Sequence, residues 1–200
     1  SAAAAFNGAL TIGFQVMEIA NLKGIMTKRE AEERAISLYK QLDLPNPETI
    51  GKLYPHQVSG GQLQRLMAAM AMMCYPKLLI LDEPTTALDV TTQIEVLQAF
   101  KRLIQNENTA AIYVSHDLSV VTQMADEILV LKDGSMVELN STEAIITDPQ
   151  EKYTKMLMGA VPTIPENPVS QSEIKSESLL KVDNVTAGYG LHGQITILKN

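Results

Sequence analysis

Three short segments of this 200-residue chain place chemically capable side chains at spacings suited to phosphate chemistry. In the first, Ser59-Gly60-Gly61-Gln62 stands at the entrance to a helical stretch over residues 63–74. Paired glycines let a backbone approach a ligand closely, and the amides and positive dipole end of a helix N-terminus favour an anion. The plainer reading is a glycine turn with Ser59 as the N-cap. In the second, Asp82 and Glu83 directly follow the apolar run Leu78-Leu79-Ile80-Leu81. One carboxylate at such a strand end can hold Mg²⁺, directly or through water, while the other orients or deprotonates an attacking water. The plainer reading is a pair of solvated acids that start a helix. In the third, Ser115-His116-Asp117 follows another apolar run, where a neutral imidazole can bond a terminal phosphate or hold a water against it. A purely structural histidine is the alternative. His56 and His192 lack comparable partners and are assigned no chemistry, and Cys74, among Met67, Met70 and Met73, reads as a buried, inert thiol.

The elements that must position these groups are legible from periodicity. Residues 11–43 read as helical, with Ile12, Val16, Ile19 and Ala20 at helical spacing. Thr27-Lys28-Arg29-Glu30 is a capping-box pattern opening a second helix with Ala31, Ala35, Leu38 and Leu42 on one face, and Pro45 and Pro47 end it. After residue 76 the grammar changes. Residues 78–81 read as a strand buried on both faces of a parallel sheet, followed by a helix over 89–105 and a strand over 110–114. A helix over 118–125, strands over 127–131 and 135–139 joined at Asp133-Gly134, and a helix over 153–158 complete the series. Residues 161–178, rich in Pro and Ser, read as a linker. Order resumes at 179–185 as a strand, then a Gly188-Tyr189-Gly190 turn and a strand over 195–198.

Composition narrows the classes. With 46% hydrophobic and 20% charged residues the chain is not wholly disordered, and one cysteine makes no internal disulfide framework, which points to a cytosolic redox environment. The net charge of −7 argues against affinity built on a Lys/Arg surface for nucleic acid. No uncharged apolar run reaches bilayer length, and the Ala-rich start lacks the basic region of a signal peptide. A first residue Ser1 in an apparent loop fits the interior of a longer chain.

Taken in order, the segments resemble the second half of an ABC-type nucleotide-binding domain. Val58-Ser59-Gly60-Gly61-Gln62 is similar to its signature motif, with Val where Leu is usual. Leu78 to Glu83 resembles Walker B, Thr86-Ala87-Leu88-Asp89 the D-loop, and His116 the switch histidine. The resemblance covers residues 1–160. A narrower likeness, to the dipeptide/oligopeptide/nickel importer branch, rests on Tyr54-Pro55-His56-Gln57, on Asp82 through Val90, on Tyr153-Thr154, and on Asn7 with Leu10-Thr11-Ile12-Gly13. Gly8 stands where that branch usually has Pro. No G-x-x-x-x-G-K-[ST] occurs, and Gln15 lies too far into the helical segment to be the Q-loop glutamine. Both features belong upstream of Ser1 in the family.

The resemblance implies an α/β, P-loop NTPase-like ABC ATPase domain without its N-terminal Walker A part, carrying a helical subdomain. Residues 1–75 would be that subdomain, ending in the signature helix; 76–160 the C-terminal part of the α/β core; 161–178 the linker; 179–200 the first strands of a second ABC ATPase domain. The cofactors implied are ATP and Mg²⁺. Glu83 would be the general base, Asp82 the residue on the Mg²⁺ side, His116 the γ-phosphate contact, and Asp89 the residue crossing the dimer interface. Ser59, Gly60, Gly61 and Gln62 would cap ATP held by the other domain, and Tyr189 would stack on adenine in the second. The implied partners are transmembrane permease subunits, a second nucleotide-binding domain on the same chain and, indirectly, a solute-binding protein, with no nucleic acid. The implied place is the cytoplasmic face of the inner membrane, peripherally bound. The parent would hydrolyse ATP to drive uptake of peptides or a related small solute, and residues 1–200 alone would be inactive. The rival readings are a soluble ABC ATPase of DNA repair, translation or phosphonate breakdown, and a non-catalytic module docking on a membrane subunit through residues 11–53.

Overall fold

The computed structural model describes residues 2–86, 88–160, 187–189 and 195–198. The chain divides into two compact units, Ser1–Pro162 and Thr163–Asn200.

The first unit opens with helices α1 (Ala2–Ala5), α2 (Ile12–Leu22) and α3 (Lys28–Gln41). The expected capping box starts α3: the Thr27 hydroxyl accepts the Glu30 N–H at 3.3 Å, and the Glu30 carboxylate accepts the Thr27 N–H at 2.7 Å. Ala31, Ala35, Leu38 and Leu42 are buried, as the spacing predicts. The chain leaves α3 through a left-handed turn at Asp43 (φ 50°) and runs through 3₁₀ turns Ile50–Lys52 and Pro55–Gln57. Those turns are pinned to α2 backbone to backbone. Ile12 N–H donates to the Leu53 carbonyl at 2.9 Å, and a Cβ on Gly13 would stand 2.9 Å from the Gly51 carbonyl oxygen. Only glycine allows that approach.

Helix α4 (Gly60–Met72) then carries the chain into strand β1 (Leu78–Asp82), helix α5 (Val90–Asn106) and strand β2 (Ala110–Val114). The two strands pair in parallel and in step, from Leu78 opposite Ala110 to Asp82 opposite Val114. Leu79 and Leu81 join the core formed by α2 to α5, where Leu38, Leu66, Met72, Phe100 and Leu103 are buried. The sequence predicts burial on both faces of β1, and the structure corrects that. Leu78 is 47% and Ile80 62% exposed, as are Ile112 (49%) and Val114 (47%) beside them. The helices supply a layer on one face alone, and among the described residues nothing covers the other.

Helix α6 (Leu118–Met124) leads to a hairpin of β3 (Glu127–Lys132) and β4 (Ser135–Ser141), turned at Asp133 (φ 50°) and Gly134 (φ 76°). Positive φ at both positions matches the right-handed strand twist. A short helix α7 (Thr142–Thr147), which sequence periodicity does not reveal, is capped by the Ser141 hydroxyl accepting the Ala144 N–H at 3.3 Å. Six residues give too few turns for a hydrophobic period to register. Helix α8 (Lys152–Gly159) is anchored by Glu138, whose carboxylate accepts the Gln150 and Glu151 N–H groups at 2.9 and 3.1 Å. Ile128, Val130 and Ile145 form a small second core with Tyr153 and Leu157 packed against it.

In the second unit, β5 (Ala187–Tyr189) pairs antiparallel with β6 (Ile195–Leu198). The expected turn at Gly188-Tyr189-Gly190 is therefore corrected: Gly188 and Tyr189 are strand residues, opposite Thr196 and Ile195. Glycine suits an irregular extended strand as well as a turn, and the register shifts between Ala187 and Gly188. The expected linker over 161–178 and strand over 179–185 lie outside the described residues.

One ion pair ties the helical layer of the first unit together. Arg34 of α3 meets Glu107, just past α5, with both carboxylate oxygens engaged at 2.7 and 2.8 Å, and their side chains are only 8% and 12% exposed. Arg34 also donates to the Met72 carbonyl at 3.0 Å and lies 4.1 Å above the Tyr75 ring, while Gln41 donates to Glu107 at 2.9 Å. The hydrogen bonds from Arg34 hold the Glu107 carboxyl below its ordinary 4.5, against the opposing effect of burial. A depressed folded value means stabilisation that is complete above the unfolded value and lost as pH falls through the folded one. Glu107→Gln leaves Arg34 buried without its counter-charge and is expected to cost about 3 kcal/mol in denaturant unfolding at pH 7. The wild type should lose its advantage over the variant as pH falls below 4.5.

Candidate functional site

The in-step pairing of β1 and β2 brings both strand ends to one edge. Glu83 N–H continues the ladder, donating to the Val114 carbonyl at 3.0 Å. The chain then turns at Glu83, which is left-handed (φ 47°), a conformation costing a non-glycine residue about 1 kcal/mol. Pro84 disfavours the right-handed helical alternative at that position. The turn sets the Glu83 carboxylate beside the residues that leave β2. Its Oε1 accepts the His116 Nδ1–H at 2.7 Å and the His116 backbone N–H at 3.2 Å, and its Oε2 accepts the Thr86 hydroxyl at 3.2 Å. The hydrogen bond from His116 pulls the Glu83 carboxyl below its ordinary range, and the same bond with the carboxylate charge raises the His116 imidazole above 6.5. With Nδ1 pinned by Glu83, Nε2 is the His116 atom left to meet a phosphate or a water.

Asp82, the last residue of β1, has an exposed carboxylate on the same edge. Among the described residues no three His, Cys, Asp or Glu side chains cluster as a metal cage. A single strand-end carboxylate fits an ion that takes most of its ligands from water and phosphate oxygens, as Mg²⁺ does.

A second group surrounds the start of α4. The Ser59 hydroxyl accepts the Gln62 N–H at 3.3 Å, and the Gln62 side-chain oxygen accepts the Ser59 N–H at 2.9 Å. The N-cap and the anion-facing readings of Ser59 are therefore compatible: its oxygen accepts from Gln62, while its proton can be donated outward. The amides of Gly60 and Gly61 lie in the first turn, where helix N–H groups lack intrahelical acceptors. Arg65 braces this turn, donating from Nε to the Gly61 carbonyl at 3.3 Å and from Nη1 to the Leu42 and Asp43 carbonyls at 3.2 and 3.0 Å. Gly60 faces the segment before α5, and Gly61 faces the first turn of α5 itself. A Cβ on Gly60 would sit 3.5 Å from Leu88 Cδ2, and one on Gly61 would overlap the Thr92 γ-methyl. Asp89 is the N-cap of α5, accepting the Thr92 N–H at 3.0 Å and the Thr92 hydroxyl at 2.7 Å, bonds that hold its carboxyl below 3.8.

The structure thus joins Glu83 with His116, and Gly60 and Gly61 with the Leu88–Thr92 segment. Tyr189 lies in β5, in the other unit. Gln15 is buried and fully occupied, accepting the Asn7 N–H at 2.7 Å and donating to the Asn7 and Leu10 carbonyls at 3.0 Å each. His56 stacks on Tyr54, with ring centroids 5.7 Å apart, and Cys74 is half-buried against the core. His192 lies outside the described residues. Sequence reasoning missed Thr92, whose only signal is its place three residues after an Asp N-cap, and it named Thr86 in the D-loop resemblance without assigning its hydroxyl, which reaches back to Glu83.

The sequence model of the family described as ABC transporter matches residues 4–86, a span that includes Ser59 to Gln62 and Asp82-Glu83. The chain is thus similar to ABC transporter ATP-binding proteins, and its mixed helix and strand architecture is P-loop NTPase-like. It is 44% identical over 156 residues to the dipeptide transport ATP-binding protein DppD of Escherichia coli, covering 78% of this chain and 48% of the relative. It is also 44% identical over 158 residues to the oligopeptide transport ATP-binding protein AppD of Bacillus subtilis, covering 79% and 48%. The glutathione import ATP-binding protein GsiA of Escherichia coli is 42% identical over 158 residues, 79% of this chain and 25% of that protein. The chain spans about half the length of the first two relatives.

The Glu83–His116 bond has a direct readout. NMR titration is expected to place the His116 midpoint above 6.5, and Glu83→Gln to return it toward 6.5. An unchanged midpoint in the variant would show the two side chains apart in solution.

Proposed function

We propose that this chain is part of an ATP-hydrolysing subunit of an importer for peptides or a related small solute. The Glu83–His116 pairing at the edge of β1 and β2 carries the reading. A carboxylate and an imidazole held at 2.7 Å on neighbouring strand ends suit in-line attack of water on a γ-phosphorus. Glu83 takes the proton from the attacking water, and ADP leaves. His116, fixed through Nδ1, donates from Nε2 to a γ-phosphate oxygen. Asp82 holds Mg²⁺, which when bound neutralises phosphate charge. Ser59, Gly60, Gly61 and Gln62 meet the phosphates of an ATP held by a second nucleotide-binding domain, and Asp89 faces that same interface. Positioning and electrostatics supply most of the rate.

The tandem arrangement is part of the proposal: residues 1–75 as helical subdomain, 76–160 as the latter part of one ATPase core, 161–178 as linker, and 179–200 as the opening of a second domain with Tyr189 as its adenine-stacking residue. Nearly the same aligned stretch fills about half of DppD but a quarter of GsiA, so the glutathione relative is about twice as long and has room for two such domains. Partners are proposed as permease subunits at the cytoplasmic face of the membrane. No helix among the described residues is long and apolar enough to cross one. Around α2, exposed Phe14, Ile19, Leu22 and Ile25 offer an apolar surface for a permease.

In the full-length protein, Glu83→Gln is expected to reduce turnover by at least about a hundredfold while ATP-driven closure persists. Substantial hydrolysis by the variant would remove Glu83 from its role. Residues 1–200 alone, with no glycine-lysine phosphate loop, are expected to show no calorimetric ATP binding at micromolar concentration.

A further inference from the structure

Thr92 touches both motif segments where α4 and α5 begin, with opposite ends of one short side chain. Its γ-methyl fills the space where a Cβ on Gly61 would stand. Its hydroxyl donates to Asp89 Oδ2 at 2.7 Å, and its backbone N–H donates to Asp89 Oδ1 at 3.0 Å. Threonine is branched at Cβ, so methyl and hydroxyl turn together about χ1, and one cannot move without the other. A shift of the α4 N-terminus that presses on the methyl therefore rotates the hydroxyl away from Asp89. The approach of Gly60 to Leu88, whose Cδ2 would stand 3.5 Å from a Cβ at position 60, lies along the same seam.

We propose that Thr92 is a positioning residue that couples the glycine turn at Gly60-Gly61 to the carboxylate of Asp89. It transmits the seating of α4 against a bound nucleotide into the orientation of Asp89 at the interface between nucleotide-binding domains. This rests on the functional reading given above for those two segments. Asp89 keeps its backbone hydrogen bond when the hydroxyl is lost, so the cap of α5 survives while the direction of the carboxylate does not. Gly61 is required here by the methyl of Thr92: beyond that methyl, the nearest atoms to a Cβ at position 61 are Val96 Cγ2 at 3.7 Å and Thr92 Cβ at 3.9 Å, both ordinary contacts.

Four variants of the full-length protein test the coupling: Thr92→Val, Thr92→Ser, Gly61→Ala, and Gly61→Ala combined with Thr92→Ser. Thr92→Val keeps the methyl on Gly61 and removes the hydroxyl. Its kcat for ATP is expected to fall about tenfold, the equivalent of one hydrogen bond to a charged group, with KM and Tm near wild type. Thr92→Ser keeps the hydroxyl but removes the methyl on which α4 presses, so its kcat is expected to fall as in Thr92→Val. Gly61→Ala lowers Tm by roughly 5 °C, and adding Thr92→Ser restores most of that loss because it removes the overlapping methyl. Wild-type kcat in Thr92→Val, or a Tm loss from Gly61→Ala that is the same with Thr or Ser at position 92, would overturn the proposal. A wild type that hydrolyses no ATP would instead defeat the functional reading, and the Tm comparison would then decide the coupling: rescue supports it and simple additivity refutes it.

Discussion

The in-step parallel pairing of β1 with β2 is the constraint on which the site depends. Because Asp82 lies opposite Val114, the residues that follow both strands emerge side by side, and Glu83 meets His116 across 33 positions of sequence. A slip of one residue would turn Leu79 and Leu81 out of the core and carry the carboxylate away from the imidazole. Burial of those two leucines in the core shared with α2 to α5 opposes such a slip, since each fully buried side chain contributes about 1.5–3 kcal/mol. The register that satisfies the core is the register that assembles the pair. The left-handed turn at Glu83 is a local cost of that arrangement, placed at the residue whose direction matters most.

Helix α4 meets a different requirement at each end. Its N-terminus packs closely on the start of α5, where a Cβ at position 61 would strike the Thr92 methyl and one at position 60 would touch Leu88. Its C-terminus is held from behind: the Met72 carbonyl accepts from Arg34, which is locked onto Glu107 beyond α5. Arg65 adds a brace from the first turn of α4 to the end of α3. The helix is thereby fixed to α3 and α5 together, and movement of one end is felt in the packing of the others.

Much of this was legible in the residues. The Thr27–Glu30 box, the apolar run ending at Asp82-Glu83, the run ending before His116, and the Asp133-Gly134 turn each follow from local rules, and each is found where those rules put it. What local rules cannot supply is long-range chemistry. Arg34 and Glu107 are 73 residues apart, and a lone Arg on a charged helix face carries no sign that it will be buried. The same limit explains β1: an unbroken apolar run reads as buried on both faces, but among the described residues nothing covers Ile80 and Ile112. Gly188 and Tyr189 were ambiguous for a local reason, since glycine permits a turn and an irregular strand alike, and pairing with β6 decided between them.

Strand register, together with the turn at Glu83, brings Glu83 and His116 to one edge, where both would meet the same reacting phosphate. A crystal structure of the full-length protein with Mg²⁺ and a non-hydrolysable ATP analogue tests it most directly. The His116 imidazole is expected within about 3 Å of a γ-phosphate oxygen and the Glu83 carboxylate one water away from the γ-phosphorus, with Asp82 opposite Val114 as before. A γ-phosphate bound away from the β1–β2 edge, or Glu83 and His116 on opposite sides of it, would refute this arrangement.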